Sequence, residues 1–232
     1  MKFSIIFPCY NEAKNLTKLA AKLRQFPEKY NVEFILVENG STDNSREIFA
    51  GINDKRVRKV FVDQNRGYGY GIKAGLTIAR GNYVGWMHAD LQYDSAELAK
   101  FFDYVLAVGG GNVFLKAQRY GRTKLDRCFS FWMGVFDTIV FGRKMKEVMS
   151  GVTIGPRSMF SKLERFPNDF SIDIYAYALA QKSHYRVVHL PVRLSARSGG
   201  ESSWNRGLKT KLRMSRDLAE GSFMVKRELG RR

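Results

Sequence analysis

Apolar positions in the first roughly ninety residues alternate between two rhythms, one of strands and one of helices. Phe3-Ser4-Ile5-Ile6-Phe7 is a short apolar run stopped by Pro8, which predicts a buried strand. From Glu12 to Phe26 the residues Leu16, Leu19, Ala20 and Leu23 recur at helical spacing, and Pro27 closes the run. Val32 to Val37 predicts a second strand. Asn39-Gly40-Ser41 predicts a turn, with Ser41 or Asp43 capping a helix that begins near Asn44. Val57 to Val62 predicts a third strand, and the glycine-rich loop Asn65 to Gly71 leads into a helix over Ile72 to Ala79. After a turn at Arg80-Gly81-Asn82, Tyr83 to Met87 predicts a fourth strand with His88-Ala89-Asp90 at its carboxyl end. This alternation implies an α/β fold, a mostly parallel sheet with helices on both faces. Such sheets bind ligands beyond the carboxyl ends of their strands, where each of these polar clusters falls.

The second half is less regular. It predicts a helix over Ser95 to Val108, a strand over Asn112 to Ala117 and a basic loop bearing Arg119, Arg122, Lys124 and Arg127. An apolar helix over Asp126 to Phe141 follows, then a helix over Phe170 to Gln181 holding Asp173, and a strand over Tyr185 to Leu194 with Pro191 near its edge. A polar loop, Arg197 to Trp204, precedes a basic helical tail. The organisation expected is a single domain over 1–204, with a nucleotide-binding half of about 1–94 and an acceptor half of about 95–204, followed by a basic tail over 205–232.

Composition sharpens this picture in three ways. At 232 residues and 44% hydrophobic the chain suits one sizeable domain and excludes general disorder. No run of about 18 apolar residues occurs, and the opening segment is too short for a signal peptide, so a soluble or peripheral protein is expected. Cys9 and Cys128 build neither a disulfide framework nor a zinc site and read as two buried reduced thiols. The net charge of +17 is lopsided: residues 1–115 hold 15 Lys and Arg against 12 Asp and Glu, residues 116–232 hold 24 against 10. The second half therefore either meets an anionic partner or is a solvated basic surface.

Glu12, Glu38, Asp43, Asp90 and Asp94 all fall near one edge of the expected sheet. Crowded carboxylates repel unless a cation or a donor separates them, and a hard divalent ion shared with diphosphate oxygens would do so; the plain alternative is solvated loop acids. Gly67, Gly69 and Gly71 do not match the dinucleotide fingerprint; they either admit a nucleotide to the backbone or make a tight turn.

Taken in order, the segments resemble the family 2 glycosyltransferases, which have the GT-A fold, a Rossmann-like sheet flanked by helices. The resemblance runs through Phe7-Pro8-Cys9-Tyr10-Asn11-Glu12, Glu38-Asn39-Gly40-Ser41-Thr42-Asp43, Asn65-Arg66-Gly67 with Ala79-Arg80-Gly81, His88-Ala89-Asp90-Leu91-Gln92, and Arg197 to Trp204. It implies that Pro8, Tyr10, Glu12 and Asn39, with Asp43, Gly67, His88 and Ala89, bind the nucleotide of a nucleotide-sugar donor. It implies that Asp90, beside His88, holds Mg2+ or Mn2+ on the donor diphosphate. Asp173 matches the acid often taken as catalytic base, and Arg197 would close over the diphosphate with Ser202 and Ser203 nearby. Two departures stand out: His88 replaces the first Asp of the metal motif, and Glu38-Asn39 replaces Asp-Asp.

The activity implied is inverting transfer of a sugar to a polyprenyl phosphate or to a lipid-linked or cell-surface glycan. A hydroxyl acceptor would need Asp173 as base; a lipid phosphate is already ionised and would need only Arg119, Arg122 and Arg127 to hold it. Leu208, Leu212 and Leu218 of the tail, interspersed with Lys209, Lys211, Arg213 and Arg216, read either as a helix lying on anionic lipid at the inner, cytoplasmic face of a membrane or as a solvated basic helix packed on the domain by its leucines. A sugar-nucleotide pyrophosphorylase is the alternative enzyme, although its glycine-rich opening loop is missing. A nucleic-acid-binding module rests on charge alone, with no accompanying motif, and nucleic acid is not expected as a partner.

Overall fold

The computed structural model describes residues 1–162, 165–195 and 208–231. Seven strands form one sheet: β1 (Phe3–Cys9), β2 (Val32–Asn39), β3 (Val57–Val62), β4 (Tyr83–Met87), β5 (Val113–Tyr120), β6 (Val152–Pro156) and β7 (Arg186–Arg193). Their order is β3-β2-β1-β4-β6-β5-β7, and all run parallel except β6, which is antiparallel to both of its neighbours. Helices α1 (Ala13–Arg24), α2 (Ser45–Ala50), α3 (Tyr68–Ile78), α4 (Ser95–Ala107), α5 (Lys124–Phe141), α6 (Ser171–Lys182) and α7 (Leu208–Gly230) surround it.

Strands buried on both sides send alternate side chains to opposite faces. Phe3, Ile5 and Phe7 of β1 pack with Leu16 and Leu19 of α1 and Phe101 and Phe102 of α4. Ile6, Ile35 and Val37 pack on the other face with Ile72 of α3, Ile172 of α6 and Leu218 and Val225 of α7. The chain leaves β1 for β2 on one side and reaches β4 on the other, so the strand order reverses between β1 and β4. That reversal opens a crevice beyond their carboxyl ends.

Several local expectations change. The glycine-rich loop is helical from Tyr68, because Gly67, at φ 108°, turns the chain and caps the helix. A Cβ at Gly67 would lie 2.3 Å from the Asn168 carbonyl oxygen, so side-chain-free backbone is required there. The basic loop is instead the end of β5, carrying Arg119, and the first turn of α5, carrying Lys124 and Arg127. Cys9 is buried as expected, but Cys128 is exposed on α5. The basic tail is not an appendage: α7 packs on α5 and α6, burying Leu218, while Leu212 points outward, so these leucines do not share one face. Among the described residues no helix is long and apolar enough to cross a membrane.

The sequence pattern does not predict β6, yet it is held by a fully buried ion pair. Lys116 of β5 is fully buried; its Nζ donates to Asp173 Oδ1 at 3.0 Å and to Thr153 Oγ1 of β6 at 2.6 Å. Thr153 Oγ1 and Trp86 Nε1 of β4 also donate to Asp173 Oδ1, at 2.8 and 3.2 Å. Burial lowers the Lys116 pKa, opposed by the Asp173 charge. One carboxylate of α6 thus ties β4, β5 and β6 together.

A second buried acid, Asp137 of α5, accepts from Ser222 Oγ of α7 at 2.6 Å. Burial pushes its pKa up to about 6, with the Ser222 hydrogen bond opposing.

These groups make two predictions. Lys116→Met leaves Asp173 buried without its cation and should destabilise the protein by about 3–5 kcal/mol in urea unfolding; Lys116→Met with Asp173→Leu should recover much of that loss. For Asp137 the folded pKa lies above the unfolded one, so stability falls as pH rises from 3.8 to about 6 and stays lower beyond it, by roughly 3 kcal/mol. Asp137→Asn should therefore raise the melting temperature at pH 8 and change it little at pH 4. An equal gain at both pH values would show that ionisation of Asp137 is not the cause.

Candidate functional site

A single cavity of about 1220 Å³ runs from the β1–β4 crevice to a groove between α5 and α7. Its first end is built by two loops fastened to each other. Pro8 lies one residue before Cys9, the end of β1, and Asn11, at φ 55°, turns the chain so that its side-chain oxygen accepts from the Thr42 N–H at 2.9 Å. Asn11 N–H donates to Ser41 Oγ at 3.1 Å and Glu12 N–H to Ser45 Oγ at 3.0 Å. Pro8, Tyr10 and Glu12 line the cavity, as does Asn39 at the end of β2.

Of the five rim carboxylates, Glu12 and Asp90 line this cavity. Glu38 is buried and accepts from Ser41 N–H at 2.7 Å and Arg46 Nη1 at 3.2 Å. Asp43 accepts from Ser45 N–H at 2.9 Å, and Asp94 caps α4 through Ser95 N–H at 2.7 Å. The crowding is therefore relieved by donors at three positions. Asp43, expected at the nucleotide, is occupied in joining the two loops and does not line the cavity.

Asn39 Nδ2 donates to the Gly67 carbonyl at 3.1 Å, which fixes the amide orientation, and its buried Oδ1 has no partner among the described residues. The orphan is an acceptor, so a hydrogen-bond donor is what it lacks. Tyr68 stacks between His88, at 5.1 Å, and Phe170, at 4.8 Å, and its buried hydroxyl is likewise without a partner. Burial holds the Tyr68 pKa well above the usual phenol range, helped by the charges of Asp173 and Asp90, so the hydroxyl stays protonated and able to donate. Gly151, at φ 77°, backs this stack, where a Cβ would lie 2.8 Å from His88 Cδ2.

Asp90, 7% exposed, accepts from Gln92 N–H at 3.2 Å through Oδ1. Its Oδ2 has no hydrogen-bond partner among the described residues. No cluster of three or more His, Cys, Asp or Glu side chains suited to a metal occurs among them either. Asp90 and His88 alone fit a hard ion that takes most of its ligands from a diphosphate and water, and do not form a complete protein cage.

At the other end, Arg119 Nε donates to Glu147 Oε2 at 2.8 Å, Arg122 donates to Glu147 Oε1, and Arg122 Nη1 donates to Ser130 Oγ at 2.7 Å. Two guanidinium groups share one carboxylate, so this triad carries one net positive charge, and Arg122 Nε is buried without a partner among the described residues. Burial and the Arg119 charge lower the Arg122 pKa. Glu147 itself sits at φ 50°, a strained conformation for a non-glycine residue. Lys211 of α7 donates to Asp126 of α5 at 2.6 Å. Burial raises the Asp126 pKa, but this bond and one from Thr123 outweigh it, so the pKa is lowered. Phe129, Met133, Met214 and Leu218 give the groove its apolar walls.

The structure thus brings Pro8, Tyr10, Glu12, Asn39, Gly67, His88, Ala89, Asp90, Arg119 and Arg122 around one cavity. Arg127 is exposed on α5 and does not line it. Asp173 is 1% exposed, lies outside the lining and is engaged by Lys116, Thr153 and Trp86. That position corrects its expectation as a base, because a base must reach the acceptor's proton. Arg197, Ser202 and Ser203 lie outside the described residues. Ser195, the last described residue before them, donates its N–H to the Gln92 carbonyl at 2.9 Å, beside Asp90. Tyr68, Glu147 and Lys211 were not expected. An arginine pair on a separate element gives a sequence signal only for the cations, not for the Glu147 that joins them.

Comparison with known proteins agrees with this geometry. The dolichol-phosphate mannosyltransferase of Pyrococcus furiosus is 25% identical over 212 residues, 87% of this chain and 59% of that protein. The undecaprenyl-phosphate 4-deoxy-4-formamido-L-arabinose transferase of Proteus mirabilis is 34% identical over 106 residues, 43% of this chain and 32% of that protein. The matches thus span less than two thirds of either relative. The glucosyl-3-phosphoglycerate synthase of Mycobacterium tuberculosis, solved with Mn2+, uridine diphosphate and phosphoglyceric acid, superposes with a TM-score of 0.73 at 15% identity, covering 97% of this chain and 78% of that one, and so shares the fold. The profile of the family described as glycosyl transferase family 2 matches residues 4–149, more than half of the chain, and the protein belongs to that family.

Proposed function

We propose that the protein moves a sugar, with inversion, from a nucleotide-diphosphate sugar to a polyprenyl phosphate. The observation that carries this reading is the single cavity with two unlike ends: an acidic, orphan-rich rim at Asn39, Tyr68 and Asp90, and a basic rim with apolar walls at Arg119, Arg122 and Lys211. Aliphatic and methionine walls of this kind suit an isoprenoid chain better than a polar glycan. The relatives named for dolichol and undecaprenyl phosphate support the same choice.

Asn39 Oδ1 would accept an N–H of the donor base, with Pro8, Tyr10 and Glu12 enclosing base and ribose. Asp90 and His88 would hold Mg2+ or Mn2+, whose chemistry is to neutralise the departing diphosphate. Tyr68 would donate its hydroxyl to a donor oxygen, which removes the cost of an unpartnered buried group. Arg197, with Ser202 and Ser203, would add a cation to the diphosphate. The acceptor phosphate would draw on the surplus charge of Arg119 and Arg122, with Lys211 at the groove's edge, while the first isoprene units lie along Phe129, Met133 and Met214. An ionised phosphate attacks the anomeric carbon without a base, so Asp173 would act by holding the cavity floor. Work at the cytoplasmic face of a membrane follows from such an acceptor.

The test is product formation from undecaprenyl phosphate with a panel of nucleotide sugars and Mn2+, read as lipid-dependent release of nucleoside diphosphate. Asp90→Ala should lower turnover by about a thousandfold while the fold is kept. Arg122→Ala should raise the KM for the lipid phosphate about tenfold with a smaller effect on kcat. Near-normal turnover of Asp90→Ala at saturating Mn2+ removes the metal role. Transfer to a glycan hydroxyl but to no polyprenyl phosphate overturns the acceptor.

A further inference from the structure

Helix α5 is apolar on two opposite sides. Gly134, Asp137 and Val140 are buried against the body, as expected of a helix on a domain surface. The outward side of such a helix is ordinarily polar. Here it carries Leu125, Trp132 and Ile139, which are 49%, 62% and 75% exposed, with Phe131 at 63% beside them. At helical spacing Leu125, Cys128, Trp132, Val135 and Ile139 fall within an arc of roughly 80°. The apolar face continues onto α7: Phe223 is exposed and sets its ring edge-on to Phe136 at 5.7 Å, and Leu212 is exposed as well. Cations border the patch. Lys124 and Arg127 are exposed on α5, and Lys209, Arg213, Arg216, Lys226 and Arg227 on α7, against Asp217 and Glu220.

We propose that this face of α5 and α7 seats on an anionic lipid bilayer, with Trp132, Phe131 and Ile139 inserted at headgroup depth and the α7 cations on lipid phosphates. Large exposed apolar patches on soluble domains mark interaction surfaces, and one ringed by Lys and Arg is complementary to a negatively charged membrane. Exposed Trp beside aliphatic residues suits the interface between water and hydrocarbon. A second copy of the chain fits less well, because a two-fold contact would bring the same cationic borders together. Position agrees: the inner sides of the same two helices, at Met133 and Met214, wall the groove proposed for the lipid acceptor. That last point rests on the proposed acceptor; exposure and charge do not.

The experiment is cosedimentation of the full chain with vesicles of phosphatidylcholine alone or with about one third phosphatidylglycerol, together with sedimentation velocity without lipid. The protein should pellet with the anionic vesicles and be released in part by high salt. Phe131→Ser/Trp132→Ser/Ile139→Ser should lower the bound fraction about tenfold or more at unchanged thermal stability. Arg213→Glu/Arg216→Glu should remove the preference for phosphatidylglycerol. Transfer to a short-chain, water-soluble polyprenyl phosphate should be unaltered in the triple variant, because none of its three positions lines the cavity. Failure of the wild-type chain to pellet, or pelleting unchanged by the triple substitution, overturns the proposal. So does a concentration-dependent dimer that the triple substitution abolishes, which would assign the face to a second copy. Pelleting without transfer to any polyprenyl phosphate sinks the acceptor reading alone, and transfer without pelleting sinks the docking alone.

Discussion

The ion pair between Lys116 and Asp173 is the constraint on which the site's geometry depends. Two opposite charges buried together seldom add much net stability, but they specify an arrangement strongly, because any other packing leaves a charge alone in the interior. Here the pair decides where the antiparallel strand β6 sits. Thr153 can reach both charges only when β6 lies between β4 and β5. With β6 inserted, the carboxyl end of β4, bearing His88 and Asp90, is separated by one strand from that of β5, bearing Arg119. The acidic and basic ends of the cavity are thereby kept apart, yet within one continuous space.

The cavity's two ends solve opposite electrostatic problems by different means. At the β1–β4 crevice, the Ser41 N–H, Arg46 and other backbone N–H groups satisfy Glu38, Asp43 and Asp94, and among the described residues Asp90 keeps an unshared oxygen. At the α5–α7 groove, Glu147 is shared between Arg119 and Arg122, so that this triad carries one net positive charge. The first end offers Asp90 and His88 to an ion; at the second, Arg119 and Arg122 share Glu147 while Lys211 pairs with Asp126. A donor diphosphate and an acceptor phosphate are species that would complete each end, which is why the unpaired groups are read as a binding arrangement.

Much of the fold was legible because its first half obeys two clean periods. Strands such as Val32–Asn39 are bounded by turn residues, and α1 shows its leucines at helical spacing. The rim residues Pro8, Asn39, His88 and Asp90 were legible for the same reason, since strand ends are where parallel sheets gather polar groups. β6 was not legible: Val152–Pro156 is five residues long, with glycine before it and proline at its end, too short a run to stand out, and Lys116 and Asp173, which hold Thr153, come from distant segments. Asp173 shows the converse failure. Its position in a helix matched an expected base, but sequence gives no account of Lys116, 57 positions away, reaching its carboxylate. Cys128 shows the same limit, because apolar neighbours in sequence do not fix which way a helix turns a side chain.

That last limit is informative about α5. A run such as Cys128 to Phe141 looks like a core helix when its apolar residues are counted without regard to direction. Direction shows two stripes, one against the body and one against solvent, with Asp137 buried on the inner side near neutrality in its titration. Hydrophobicity all around a helix requires apolar surroundings on all sides. The body of the protein supplies only half of them. Among the described residues nothing covers the rest, and the anionic bilayer proposed above would supply it while matching the cations on α7. The excess positive charge of the second half, uninformative while spread along the sequence, acquires a direction once α5 and α7 are seen side by side.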